Sequence, residues 1–239
     1  MQTPIPDLGT ILSVWAHPDD ESYCCAGLMA DAIARGRRVV CVTATRGELG
    51  STDEARWPPG PRLAELRTRE LAACLAELGV TEHIWLDYPD GGCAAVDPAE
   101  AIGRLRAIAD DVQPDTVLTF GPDGATWHPD HMAVSDWATR AVDGTGARVH
   151  YTSSTPDWYA MMSQFIEPSM VMMADKDPLV HPVEALSIHA VLDGELLDAK
   201  YRAMRCQESQ IGPLAGLLGE DNFRLMLAEE AFRPADAER

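Results

Sequence analysis

Residues Ile11 to Thr45 read ILSVWAHPDDESYCCAGLMADAIARGRRVVCVTAT. Ile11–Ala16 is an unbroken apolar run of strand length, Ala26–Arg35 carries helical spacing, and Arg37–Thr45 is rich in Val and Thr and stops before Gly47. A strand, a helix and a strand in so short a span predict a βαβ unit, whose two strands run parallel because the helix carries the chain back to the same edge. The pattern then repeats. Leu63–Leu78 predicts a helix closed by Gly79, His83–Asp87 a strand, Pro98–Asp111 a helix, Asp115–Phe120 a strand and Asp130–Val142 a helix. The expected class is α/β: a three-layer, Rossmann-like fold with a mostly parallel sheet covered on both faces.

After Asp143 the rhythm changes. Arg148–Ser153 predicts a fifth strand, Pro156–Met173 is rich in Met and aromatics and fits helix or loop equally, and Leu196–Cys206 predicts a helix. Ile211–Gly219 is expected as a Gly-containing loop before a last amphipathic segment, Asn222–Phe232, and Pro234–Arg239 as a frayed tail. No repeat or linker divides the chain. It is read as one domain over 1–239, a core of 1–145 carrying the chemistry and a C-terminal elaboration of 146–239.

Composition narrows the function. The 239 residues carry a formal charge of −19 and are 46% apolar, which is enough to build one large core. With a pI near 4.6 and no basic cluster, an electrostatic grip on nucleic acid or anionic lipid is excluded as an expectation. The N-terminal MQTPIPDLGT lacks a basic region followed by an apolar stretch, so neither leader nor membrane anchor is expected. The six cysteines show no CxxC spacing and read as reduced thiols of a cytoplasmic protein.

The chemistry lies in two clusters, AHPDDE at residues 16–21 and HPDH at residues 128–131, each just past a predicted strand. Ligands of open parallel sheets bind beyond the carboxyl ends of strands, where neighbouring strands send their helices to opposite faces. If the first and fourth strands are neighbours, the clusters converge. Imidazole and carboxylate suit a borderline divalent ion, and a catalytic site uses three protein ligands and leaves room for water. His17, Asp19, Asp20, His128 and His131 compete for those three places, and the remaining two serve proton transfer. The residues alone leave the choice open.

Three further motifs accompany these clusters, TRGELGS at Thr45–Ser51, RxxEL at Arg67–Leu71 and YPDGG at Tyr88–Gly92, and the second cluster closes the longer run QPDTVLTFGPDGATWHPDH at Gln113–His131. In this order they resemble the LmbE-like or PIG-L family of metal-dependent N-deacetylases. The resemblance implies His17, Asp20 and His131 as metal ligands and Asp19 as general base. It further implies His128 as the acid or oxyanion-stabilising group and Asp130 as the residue orienting a His. Zinc is the implied ion, with iron as the alternative. An amino-sugar-type small molecule is the implied substrate, and a homo-oligomer the favoured assembly. Arg46, Glu48, Asp90 and Trp127 stand at loop ends as expected substrate contacts, although Arg46 and Glu48 suit loop bracing better. The chain departs from the pattern at Thr126-Trp127, where some relatives carry a Tyr, and at Gln207, where many carry a His.

The expected reaction is removal of an N-acyl group, acetyl first, from an amino sugar or sugar-like natural product. Alternatives are an amidase acting on a mycothiol-type thiol conjugate or an antibiotic intermediate, oxidative iron chemistry, and a sugar- or nucleotide-binding protein without catalysis. The nucleotide reading is weak because no GxGxxG follows the first strand, and AHPDDE sets carboxylates where phosphate would sit.

Overall fold

A computed structural model describes residues 5–235, with the Pro168 side chain left aside. The β1 strand, Ile11–Trp15, is buried throughout, and helix α1, Asp20–Ala34, follows it directly. The helix begins six residues before the periodic stretch that predicted it, because it is bent at Cys25 (φ −149°) and its first turn consists of site residues, not an apolar stripe. Next come β2 (Val39–Thr45), α2 (Pro61–Glu77), β3 (Glu82–Tyr88), α3 (Pro98–Val112), β4 (Thr116–Thr119) and α4 (Pro129–Ala141). These match the predicted elements within the few residues by which element ends differ.

Among the described residues the sheet has seven strands in the order β3-β2-β1-β4-β5-β7-β6. The chain runs outward from β1 through β2 to β3 and then returns to place β4 on the other side of β1. The β1 and β4 strands pair in parallel with Ile11 opposite Thr116. That reversal opens the crevice in which a ligand binds. Trp15 and Phe120 meet edge to face at 4.8 Å beneath it, and both are buried. Side chains of this kind each contribute about 1.5–3 kcal/mol on burial.

The C-terminal part joins the same sheet. The β5 strand (Arg148–Ser153) runs parallel to β4, whereas β7 (Glu229–Pro234) lies antiparallel to both β5 and β6 (Ile188–Val191). Neither β6 nor β7 was expected. The stretch Asn222–Phe232 is divided between the end of helix α7 (Glu208–Leu227) and β7, whose Glu229, Glu230 and Arg233 mask its strand character. Ile211–Gly219, expected as a loop, belongs to α7, Glu208–Leu227, in spite of Pro213. Its Ile211 and Leu218 are buried with Met204 and Phe223 in a second apolar cluster, so tertiary packing overrides local propensity. Gly219, at φ +72°, marks the kink within α7. The ambiguous stretch resolves into helix α5, Pro156–Met162, and a short 3-10 turn at Pro168–Met170. Helix α6, Gly194–Arg205, packs on α1. Pro234 closes β7, and residues 236–239 of the tail expected to fray lie outside the described residues. No helix of the described residues is long and apolar enough to cross a membrane.

Candidate active site

The β1 and β4 strands end side by side, so AHPDDE and the loop leading to HPDH leave the sheet at its carboxyl edge. His17 Nδ1 lies 3.1 Å from His131 Nε2. The Asp20 carboxylate is 3.6 Å from the former and 3.5 Å from the latter. Each ring is engaged at its other nitrogen. His17 Nε2 faces Asp90 Oδ1 at 3.1 Å and Asp130 Oδ2 at 3.3 Å, and His131 Nδ1 donates to the Gly124 carbonyl at 2.9 Å. With protons on those outer nitrogens, His17 Nδ1 and His131 Nε2 turn lone pairs towards each other and towards a carboxylate. Such an arrangement is repulsive without a shared cation. It fits a divalent ion bonded at about 2.0–2.2 Å, each imidazole being held by an acceptor behind it.

The support behind the rings is specific. Asp130 is fully buried and accepts from Gly91 N at 2.8 Å and Cys93 N at 3.0 Å, so the loop after β3 fixes the carboxylate that faces His17. The His that Asp130 faces is His17. A Cβ at Gly124 would fall 2.8 Å from that of His131, and its φ is +64°, so only glycine brings its carbonyl to this ring without strain. His128 caps α4 by accepting from Asp130 N at 3.1 Å through Nδ1. Its proton is thereby assigned to Nε2, where the neutral ring is a donor. His17, His128 and His131 each offer a nitrogen within 4.8 Å of the others, as do donor atoms of His17, Asp90 and Asp130. The latter group surrounds the outer nitrogen of His17 and is accounted for as its hydrogen-bond acceptors.

Asp19 occupies the N-cap position of α1 but makes no capping bond, and its φ of 120° is rare for a non-glycine residue. Strain of this kind costs about 1–3 kcal/mol and gathers at functional sites. Its amide donates to Glu21 Oε2 at 3.0 Å, and its carboxylate lies 3.4 Å from Arg67. Burial raises the Asp19 carboxyl well above its ordinary range, with Arg67 opposing and Asp20 and Glu21 reinforcing. Burial lowers His131 to about 4 and so keeps it neutral. At His17 burial likewise disfavours the imidazolium, but hydrogen bonds to Asp130 and Asp90 and the charge of Asp20 outweigh it and raise the ring to about 10. A cation among the donors would take that proton's place.

The expected substrate contacts separate. Asp90 joins the centre through His17, and its other oxygen accepts from Leu49 N at 2.7 Å. Glu48 accepts from Asp90 N at 3.0 Å and braces the loop. Arg46 turns away to Asp87 at 2.8 Å and Thr68 at 3.1 Å and lies over the Trp85 ring. Trp127 donates to the Asp177 carbonyl at 3.2 Å, with Lys176 over its face. Arg46 and Trp127 are thus drawn off by other partners. Residue-type reasoning missed Arg67 and Glu21. The buried Arg67 guanidinium also donates to Gly47 O at 2.9 Å, and its place in the RxxEL motif was the available signal. Gln207 is buried and donates to Glu21 Oε1 at 2.7 Å while accepting from Ser22 at 2.9 Å. The amide supplies a donor and an acceptor at once, so it serves as a brace for the first turn of α1.

From Asp19, Asp20 and His131 a cavity of about 390 Å³ extends under α5 and the segment after it.

With this geometry established, similarity to known proteins identifies the class. The family described as PIG-L, GlcNAc-PI de-N-acetylase, matches residues 12–142. The chain belongs to this family. Among its relatives, 1D-myo-inositol 2-acetamido-2-deoxy-alpha-D-glucopyranoside deacetylase of Mycolicibacterium gilvum is 30% identical over 99% of this chain and 89% of its own length. The deacetylase of the same name from Kineococcus radiotolerans is 37% identical over 58% of this chain, and the aligned region spans 46% of that relative's length. Of solved structures, the A40926 pseudoaglycone deacetylase shares the fold with a TM-score of 0.69 at 21% identity, over 95% of this chain and 97% of that one.

Proposed function

We propose that this protein is a metal-dependent amidohydrolase that removes an N-acyl group, acetyl in the simplest case, from the nitrogen of an amino sugar. The observation that carries the reading is the convergence of His17 Nδ1, His131 Nε2 and the Asp20 carboxylate within 3.1–3.6 Å. Zinc is the ion proposed, because two neutral imidazoles and one carboxylate match its preference. When bound, such an ion lowers the pKa of a water molecule and polarises the amide carbonyl.

The chain's own groups divide the remaining work. Asp19, its carboxylate held near Arg67, takes a proton from the attacking water, and its raised pKa lets it return one to the leaving amine. His128 offers Nε2–H to the oxygen on which negative charge develops, its Nδ1 being committed to Asp130 N. Asp130 and Asp90 hold the His17 ring in the tautomer that leaves Nδ1 free of a proton. The names of the relatives support the amino sugar as substrate class.

The test is elemental analysis of the purified protein and of His131→Ala, with amine release from N-acetylglucosamine derivatives measured on both. About one zinc per chain, lost in the variant together with amine release, is the expected result. Full metal content in His131→Ala would remove that residue from the ligand set. Identifying the released acid by mass separates deacetylation from cleavage of a larger thiol conjugate.

A further inference from the structure

The cavity beside the candidate metal centre has a mixed wall, and several of its polar side chains are engaged by other protein groups. Ser153 Oγ lies 2.8 Å from His181 Nδ1, and the Trp158 indole N–H donates to the Met226 carbonyl at 3.0 Å. Glu229 accepts from Thr155, and Glu230 accepts from Lys200. Tyr23 differs from these. It lines the cavity together with Asp19, Asp20 and His131, yet among the described residues no group hydrogen-bonds to its hydroxyl.

Sequence and local structure together place this phenol. Tyr23 stands near the start of α1, before the bend at Cys25, three residues after Asp20 and four after Asp19. Residues at those spacings are neighbours on one helical face, with Cβ atoms about 5–6 Å apart, so the ring stands beside the candidate base and a candidate metal ligand. The backbone is held on both sides of the ring. The Tyr23 amide donates to the Asp19 carbonyl at 3.0 Å, and the Tyr23 carbonyl accepts from Lys200 Nζ at 2.9 Å. The ring itself packs against the second apolar cluster, that of Met204 and Phe223. A side chain so anchored loses little further freedom when a ligand meets its hydroxyl. Burial raises the phenol above its ordinary range, and the charges of Asp19 and Asp20 act in the same sense, so at neutral pH the group keeps its proton and can donate it.

A phenol in a cavity takes a hydrogen-bond partner where one is within reach, and here the partner has to enter with the ligand. The hydrolase reading gives the acyl oxygen to the ion and to His128, which leaves the sugar. The leaving nitrogen receives its proton from Asp19, and the sugar oxygens nearest that nitrogen stand on the two carbons flanking the one that bears it. An anionic acceptor would meet the charges of Asp19 and Asp20, so a neutral hydroxyl suits the place. We propose that Tyr23 is a substrate-binding residue whose phenolic O–H donates to a sugar hydroxyl on a carbon next to the one bearing the scissile amide. The assignment rests on the hydrolase reading above and narrows its substrate to an amide vicinal to a hydroxyl.

The experiment compares the metal-loaded wild type and Tyr23→Phe on N-acetylglucosamine and on its 1-deoxy and 3-deoxy analogues, which lack one or the other flanking hydroxyl. Calorimetry with glucosamine, which has no amide to cleave, accompanies the kinetics. On N-acetylglucosamine the variant should lose about 3- to 10-fold in kcat/KM, the worth of one hydrogen bond between neutral groups. Its metal content and thermal midpoint should stay at the wild-type values, because the hydroxyl has no protein partner to lose. On one of the two deoxy analogues wild type and variant should coincide, and that analogue names the hydroxyl. A variant that cleaves N-acetylglucosamine as well as wild type overturns the assignment and leaves the hydrolase reading standing. So does an equal loss on both analogues, or a loss accompanied by a fall in metal content, either of which would mark a structural role. If no amide is cleaved but glucosamine binds, and binds about 3- to 10-fold more weakly to Tyr23→Phe, the sugar contact stands and the hydrolase reading falls. If no amide is cleaved and glucosamine does not bind, or binds both proteins alike, both fall.

Discussion

The two ends of the sheet are built differently. On the β3-β2-β1-β4 side every pairing is parallel, each strand is followed by a helix, and the loops after β1 and β3 supply His17, Asp19 and Asp90, while the first turns of α1 and α4 supply Asp20, Asp130 and His131. On the β5-β7-β6 side, β7 is inserted antiparallel between two strands that precede it in the chain, and the segments around it wall the cavity. The first end follows from local pattern, because a parallel strand must be buried and must have a crossover. The second end depends on contacts between residues far apart in sequence. The candidate catalytic groups thus stand on the part of the molecule with the more regular architecture, and the less regular part lines much of the cavity.

The largest test of this division is Asp19→Ala. Turnover should fall by about 10²–10⁴-fold while metal content is retained, measured by steady-state kinetics with elemental analysis. Undiminished turnover would show that the strained carboxylate at the β1 end is not the base.

Next in size is the buried pair joining the two ends. Lys200 Nζ donates to Glu230 Oε1 at 2.8 Å, and Glu230 also accepts from Gly27 N and Leu28 N at 2.8 Å each, tying β7 to α1. Both side chains are buried, so Glu230→Ala leaves a charge and two amides unsatisfied and should cost about 3–5 kcal/mol. A denaturant midpoint close to wild type would mean that the two ends do not depend on this link.

A smaller effect is carried by one histidine at each end, His83 on β3 and His150 on β5, both lowered to about 4, chiefly by burial. Between pH 4 and 6.5 the unfolded chain binds protons that the folded chain refuses. Their contribution to stability is therefore complete above pH 6.5 and is lost as the pH falls towards 4. Glu21, raised by burial to about 6, acts in the opposite sense, costing stability as the pH rises from about 4.5 to 6. His150→Phe should flatten the rise of thermal stability over this window by on the order of 1–3 kcal/mol. An unchanged pH profile would mean that His150 titrates alike in both states.

The smallest effect is expected at Arg46. Because its guanidinium is engaged by Asp87, Thr68 and Trp85, Arg46→Ala should leave kcat/KM within about twofold and cost at most about 1 kcal/mol of stability. A large rise in KM would return Arg46 to the substrate contacts.

Much of the parallel end was legible in the sequence. Ile11–Ala16 and Asp115–Phe120 read as buried strands from their apolar runs, whereas their adjacency entered the reading only as a condition for the two His/Asp clusters to meet, and the β1–β4 pairing supplies it. The register of the antiparallel end was not legible, since Glu229, Glu230 and Arg233 interrupt the alternation that identifies a strand. Those charges are tolerated there because Lys200, His189 and Asp123 meet them from other elements, which no local window contains. Ile211–Gly219 was read as a loop for a related reason: its glycines and Pro213 oppose helix locally, and the apolar cluster that stabilises the helix is formed by residues distant in the chain.

By itself the sequence determined the class of fold and the family and put forward the candidate site residues, because these follow from local periodicity and from short motifs of fixed spacing. Only the tertiary structure decided which nitrogens of His17 and His131 face Asp20, that Asp130 faces His17, that Arg46 and Trp127 turn to other partners, and that the Met-rich segment lines the cavity beside them. Hydrogen-bond direction and cavity shape are properties of side chains brought together from separate elements. Neither exists until the sheet has closed.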